Sequence, residues 1–261
     1  MSSQRILKGI AWDHPRGYEP LRATSKAFSE IYGNVSLEWD IRSLKEFGDM
    51  PIEDLMGTYD LITIDHPYMG QAHKNELLLP LEKSIEKNIL LELEDQSIGP
   101  SFRSYRYEGH LYALPIDAAA LVAASRNDLL ADFVTELPQT RTELFEFYKT
   151  LPSNYAVAWP MCATDLWCAF LTFCAQDTGE YIIQGNGIDE KVGAAVLNEL
   201  KEHIEFLHPE SLNWNPIQIL DKMAAEDEIL YSPYLFVYTN YSRKGYAKNV
   251  LKFSNSPINP E

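Results

Sequence analysis

One local pattern, used twice in the first third of the chain, restricts the fold more than any other feature. Residues 6–12 form a short apolar run that ends in Trp12-Asp13-His14-Pro15, and residues 59–64 form another that ends in Ile64-Asp65-His66-Pro67. Each reads as a strand halted by proline, which has no N–H to give to a sheet. Between them, Leu21, Phe28, Ile31 and Tyr32 fall near one face of a helix over 18–32, which Gly33 can stop. Val35, Leu37, Trp39 and Ile41 then alternate with Ser36, Glu38, Asp40 and Arg42, the two-residue period of a half-buried strand. Pro51 suits the first turn of a short helix over 51–56. Strand–helix–strand order of this kind predicts an α/β unit with a parallel sheet and right-handed crossovers. Ligands of such sheets bind beyond the carboxyl ends of the strands, where both Asp-His-Pro segments lie.

The pattern changes after Gly99-Pro100. Glu108-Gly109 reads as a tight turn, and Leu111 to Asp117 leads into the apolar run 118–124. Pro115 cannot sit inside a central strand, so this stretch reads as a crossover into a second unit. Thr140 with Glu143 three residues on is a capping box that opens a helix over 140–151. A strand over 156–159, an apolar helix over 164–177 ahead of Gly179, and helices over 190–207 and 217–226 follow. Strands are expected over 234–238 and 250–253.

Thirty-eight acids against 22 bases give a net charge of −16, which argues against nucleic acid or an anionic membrane as partner. No run approaches the ~20 apolar residues of a membrane span. The first apolar run is too short for a signal sequence, so the chain as written is expected to be soluble and unexported. Cys162, Cys168 and Cys174 are odd in number and form no CxxC, which argues against a disulfide framework or structural zinc. All three are expected to be small buried hydrophobes.

If the two Asp-His-Pro strands are neighbours, about 4.8 Å apart, then Asp13, His14, Asp65 and His66 crowd one rim. Such a rim could hold a divalent metal, run acid–base chemistry or hydrogen-bond a polar ligand. Its bland alternative is turn chemistry, with each Asp capping a following helix. No HxH or HExxH supports a metal, and His73 and His110 have no diagnostic spacing, so ligand contact is expected ahead of metal. The absence of GxSxG, Walker A and GxGxxG patterns fits a non-catalytic protein without a cofactor. Trp12, Tyr68, Tyr105, Tyr107, Tyr112, Trp159, Tyr238 and Tyr241 fall near strand ends or turns. Sugar C–H faces stack on such rings while carboxylates take the hydroxyls. Trp167, inside an apolar helix, is expected in the core.

Gly109-His-Leu-Tyr-Ala-Leu-Pro-Ile-Asp117 resembles the crossover signature of the extracellular solute-binding proteins of ABC transporters, especially the carbohydrate type. Residues 59–65 are similar to that family's first-lobe strand ending at the ligand cleft. Leu137-Pro138 and the helix from Thr140 resemble its second-lobe helix start, with Arg141 where the family usually has Trp. The resemblance implies a two-lobed periplasmic-binding-protein-like (type II) fold, with lobe one at 1–113 and lobe two at 114–247. Residues 248–261 would begin a return crossover whose completion of lobe one is lacking. It implies capture of a sugar or other small polar solute by closure, a monomer, an ABC permease as partner, and a periplasmic or extracellular location, with the cytoplasm as the alternative. Expected ligand contacts are Trp12, Asp13, His14, Asp65 and His66 from lobe one, and Asp117 at the hinge. Lobe two would supply Trp159, Tyr238, Asn240 and Tyr241. The competing expectations are a metal-dependent enzyme built on the Asp-His-Pro rim and an intracellular ligand sensor with the same fold.

Overall fold

The computed structural model describes residues 5–131, 136–179, 183 and 187–259. The chain divides into two α/β units, Met1–Ala118 and Ala119–Glu261. The first contains β1 (Arg5–Trp12), α1 (Pro15–Ile31), β2 (Val35–Arg42), α2 (Leu44–Asp49), β3 (Leu61–Ile62), α3 (Met69–Lys74), α4 (Lys87–Asp95), β4 (Arg106–Tyr107) and β5 (His110–Leu111). Its main sheet has the order β2-β1-β3, and both pairings are parallel.

The expected alternation in β2 holds, with Val35 level with Arg5 through to Arg42 level with Trp12. Two glycines let tryptophans close the layers. A Cβ on Gly9 would lie 2.5 Å from the Trp39 ring, and one on Gly17 would lie 2.5 Å from the Trp12 ring. The Trp39 indole N–H donates to Ser25 Oγ at 2.8 Å, tying β2 to α1. The helix starts earlier than residue 18, because Pro15 fits its first turn and the His14 side chain caps it. α2 is an addition to the expected elements, and it carries a capping box between Ser43 and Glu46. The helix expected over 51–56 is a 3-10 turn, Ile52–Leu55. β4 and β5 form a hairpin whose two turn residues, Glu108 and Gly109, both have positive φ (47° and 80°), as the twist of a two-residue turn demands.

The second unit contains β6 (Leu121–Ser125), α5 (Asn127–Leu130), α6 (Arg141–Thr150), β7 (Ala156–Val157), α7 (Ala163–Thr178), α8 (Glu190–Ile204), α9 (Pro216–Ala225), β8 (Ile229–Phe236) and β9 (Lys252–Ser254). Its sheet has the order β7-β8-β6-β9; β7 is parallel to β8, and β6 is antiparallel to both β8 and β9. The stretch from 248 onward therefore places a strand beside β6. β8 begins five residues before the expected start at 234, because Pro233 falls at a register shift against β6 and not in a regular ladder. The Thr140–Glu143 capping box forms as expected, and Gly179 ends α7 in the left-handed conformation.

Arg126 anchors this unit. Its guanidinium is 2% exposed and makes a two-point contact with Asp128 (2.9 and 2.7 Å). It also donates to Asp227 (2.9 Å) and to the carbonyls of Met223 (2.8 Å) and Glu226 (2.7 Å) at the end of α9. Among the described residues no disulfide forms; Cys174 is buried as expected, but Cys162 and Cys168 are partly exposed. No helix among the described residues is long and apolar enough to cross a membrane.

Candidate ligand-binding rims

The two Asp-His-Pro strands are neighbours and in step. Ile10 lies level with Ile62, and Thr63 N–H donates to Ile10 O at 3.0 Å, so the offset carries Asp13 level with Asp65 at one edge of the sheet. Asp13 N–H donates to Arg42 O at 2.7 Å, which brings the end of β2 to the same edge. Asp13, Asp65 and His66 are exposed there. Asp65 is open to water on one side and crowded by protein on the others. That desolvation raises its pKa, while His66, Arg42 and Arg16 draw it down.

Three further side chains complete this rim. Arg16, from the first turn of α1, forms an ion pair with Asp117. The Tyr105 hydroxyl donates to Ile64 O at 3.3 Å; burial pushes its pKa up to about 12, with Asp65 and Asp117 adding to the rise. Arg42 is 5% exposed and donates from Nη2 to Thr63 O at 2.8 Å. Its Nε and Nη1 are buried with no hydrogen-bond partner among the described residues. The strand alternation marked Arg42 as polar; only the tertiary fold shows that it closes the rim from beneath.

The expected contacts Trp12 and His14 are placed differently. Trp12 is 6% exposed, covered by Gly17 and by Phe47 at 5.2 Å between ring centres, so it supports the rim from within the core. His14 is 4% exposed because its Nδ1 accepts from Arg16 N–H at 3.1 Å as the cap of α1. The capping role expected of the two aspartates thus falls to histidine in the first segment. At Asp65 no side-chain cap bond forms.

In the second unit the parallel strands β7 and β8 lead into 158–162 and 237–241 at a common edge. Trp159 is 1% exposed and packs on Tyr234 (4.6 Å), His203 (5.3 Å) and Phe173 (5.6 Å), which makes it core. Tyr241 is also buried; its hydroxyl donates to Asp221 at 2.6 Å, and burial raises its pKa. Tyr238, 5% exposed, belongs to the core with Tyr241 and Leu251, and Asn240 is buried at 7%. One residue at this edge went unmarked in the sequence. Asp165, in the first turn of α7, is 8% exposed and accepts from Cys162 Sγ at 2.9 Å. Burial pushes its carboxyl up to about 6, with the thiol contact offsetting only part of the rise. Trp167, expected in the core, is 49% exposed and stacks on Phe170 at 5.5 Å. An aspartate three residues after an N-cap position is the signal that could have marked Asp165.

Among the described residues no group of three or more His, Cys, Asp or Glu side chains is placed to hold a metal. A hollow of about 400 Å³ runs beside Arg22, Lys26 and Trp39, and one of about 610 Å³ lies beside Tyr155, Phe206 and Glu228. The first rim is marked by converging polar groups.

No protein-family model matches the chain, and no curated protein matches it in sequence. Solved structures do match in fold. A solute-binding protein of an ABC transporter from Agrobacterium radiobacter, in complex with ribitol, superposes with a TM-score of 0.78 at 18% identity, over 99% of this chain and 68% of its own. Maltose-bound MalE3 of T. maritima gives 0.79 at 16%, over 98% and 68%. An ABC transporter solute-binding protein from Thermotoga lettingae, bound with α-D-tagatose, gives 0.80 at 14%, over 98% and 69%. The chain has the two-unit type II fold of these proteins and spans about two thirds of their length.

Proposed function

We propose that the chain captures a small polyhydroxylated solute, a sugar or a polyol, for an ABC-type importer. Proteins of the same fold are solved with ribitol, maltose and tagatose. The observation that carries the reading is the first rim, where Asp13 and Asp65 stand level on adjacent parallel strands beside Arg16, Asp117, His66 and Tyr105. Carboxylates accept from ligand hydroxyls, while guanidinium, imidazole and phenol groups donate to them, so the set suits a neutral ligand rich in O–H groups. Asp13, Asp65 and His66 would touch the solute from the first lobe (1–113), with Asp117 at the hinge. Asn240 and Asp165 would do so from the second (114–247), ahead of a return crossover from 248. Trp12, His14, Trp159, Tyr238 and Tyr241 would hold these groups from behind.

Capture then needs no chemical step. A solute that touches both lobes stabilises whichever arrangement lets it do so, and the population shifts accordingly. A permease that recognises this state would be the partner, with the binding protein acting as a monomer outside the cytoplasmic membrane.

The test is thermal unfolding and calorimetry with ribitol, maltose and D-tagatose. A bound solute at 100 times its Kd stabilises by about 2.7 kcal/mol. For a chain of this size that is a rise of roughly 5–10 °C in Tm. If neither these probes nor a wider set of sugars and polyols raises Tm or releases heat, the capture reading fails.

A further inference from the structure

The second unit carries a groove that the capture reading does not use. It opens at the end of β7 and β8 opposite to 158–162 and 237–241. The turn leading into β7, the turn after α8 and Glu228, just ahead of β8, enclose it. Ala156 N–H donates to Glu228 O at 2.9 Å and His208 N–H to Val157 O at 2.8 Å, so backbone bonds fix the three segments to one another. The volume of about 610 Å³ falls within the roughly 300–1,000 Å³ of small-molecule sites. Phe206 and Tyr155 wall the groove. Phe206 stacks on Tyr148, with ring centres 5.2 Å apart and planes 13° from parallel, and is still 41% exposed. The charged lining is Glu210 and Glu228, and no lysine or arginine lines the groove. His208 is held between them. It stacks on Trp214 at 4.6 Å, its Nδ1 accepts Glu210 N–H at 3.1 Å, and its Nε2 lies 3.4 Å from Glu228 Oε1. The Glu228 side chain nevertheless stays 54% exposed.

We propose that this groove binds a small organic cation, a quaternary or alkyl ammonium group on a short chain. Ring faces carry negative potential and attract such a group, and carboxylates beside the rings add full charge. Phe206 and Tyr155 supply the rings, and Glu228 and Glu210 the charge. The alternatives fit less well. An anion would meet two glutamates and no cationic side chain. A bare calcium or magnesium ion needs about six oxygen ligands and gains nothing from apolar rings. A neutral polyol would find acceptors but, unlike at the first rim, no guanidinium to donate to its oxygens. The net charge of −16 further raises the local concentration of cations. The groove lies within one unit, at the far end of β7 and β8 from Asn240 and Asp165, so it stands whether or not the capture reading does.

Calorimetric titration of the whole chain with choline chloride, and with its uncharged isostere 3,3-dimethylbutan-1-ol, tests the site. One equivalent of choline should bind, and the isostere at least about 10-fold more weakly, because only the charge differs. Phe206→Ala should weaken choline binding by about 3–30-fold and Glu228→Gln by about 5-fold. Both side chains are substantially exposed, so the variants should keep the circular dichroism of the unaltered chain. Nuclear Overhauser transfer from the choline methyl protons to aromatic ring protons should appear on the unaltered chain, a readout that needs no variant to fold. Absence of saturable choline uptake, equal binding of the isostere, no transfer to ring protons, or uptake unchanged in the Phe206→Ala/Glu228→Gln double variant would overturn the proposal.

Discussion

Replacing Asp165 with asparagine should stabilise the protein at pH 8 and leave its stability nearly unchanged at pH 4. The carboxyl is 8% exposed, and its hydrogen-bond donor is the Cys162 thiol at 2.9 Å. Among the described residues it makes no ion pair. Burial moves its pKa from the ordinary 3.8 to about 6. A shift of about two units corresponds to about 3 kcal/mol between the two protonation states. Because the folded pKa lies above the unfolded one, the folded chain binds the proton more tightly. Stability from this group is fully present below pH 3.8 and is lost as the pH climbs through 6. Asparagine cannot ionise and still offers the thiol an acceptor, so it should recover up to about 3 kcal/mol at pH 8, or roughly 5–10 °C in Tm. Urea melts of both chains at pH 4, 6 and 8 measure the difference directly. An asparagine chain that is less stable at pH 8, or a difference that does not change with pH, would refute the reasoning and leave Asp165 as an ordinary first-turn acid of α7. If the carboxylate is kept for the ligand, the stabilised variant should also bind ribitol more weakly, a trade of stability for function.

Asp65→Asn should weaken ribitol binding by about 10–100-fold, the loss of a charge-assisted hydrogen bond of roughly 1.5–3 kcal/mol, with far-ultraviolet circular dichroism unchanged. Arg126→Met strips partners from two carbonyls and two carboxylates at once and should cost about 2–4 kcal/mol in urea melts; Arg126→Lys should recover only part, because an ammonium cannot reproduce the two-point contact with Asp128. Gly17→Ala places a methyl group 2.5 Å from the Trp12 ring and should destabilise by about 1–3 kcal/mol, with a shift in tryptophan emission as the ring moves. Thr140→Ala removes the cap of α6 and should cost about 1 kcal/mol.

Local chemistry was readable wherever one side chain decides one backbone contact. Thr140 and Glu143 announced a helix start, Gly179 a helix end and Glu108-Gly109 a tight turn, and each forms. The parallel sheet followed from strand–helix–strand order, which is also local. Sequence patterns misled where tertiary contacts override a residue's usual preference. Pro233 normally excludes a strand, but a register shift removes the need for its N–H, so β8 runs through it. Trp167 has the composition of a core residue on an apolar helix, yet half of it is exposed, because sequence alone does not show which face of α7 the sheet covers. The candidate contacts divide in the same way. Their position at strand ends was legible, but the burial of Trp12, His14, Trp159 and Tyr241 depends on what packs above them.

The twin Asp-His-Pro segments show why position and role separate. Register with β1 sets both aspartates at one height, but the element that succeeds each triplet sets where its histidine points. After Pro15 comes a helix of 17 residues, whose first N–H groups need an acceptor, and His14 turns inward to supply one. The second triplet itself enters only a three-residue 3-10 turn, His66–Tyr68, ahead of α3; no side-chain cap forms, and His66 stays in solvent. Identical triplets thus give the rim two exposed carboxylates but one exposed imidazole, an asymmetry suited to a ligand whose hydroxyls are bound mainly as donors. Beneath them Arg42 keeps two buried nitrogens, Nε and Nη1, without partners, which is costly unless the neighbouring carboxylates hold the guanidinium in place. An Asp65 variant should therefore lower the affinity for a polyol and also loosen the end of β2. Hydrogen exchange at the amides of Ile41 and Arg42 should rise in Asp65→Ala and remain slow in Asp65→Glu if Arg42 is tied to that carboxylate; equal exchange in both variants would show that Arg42 is held by Thr63 alone.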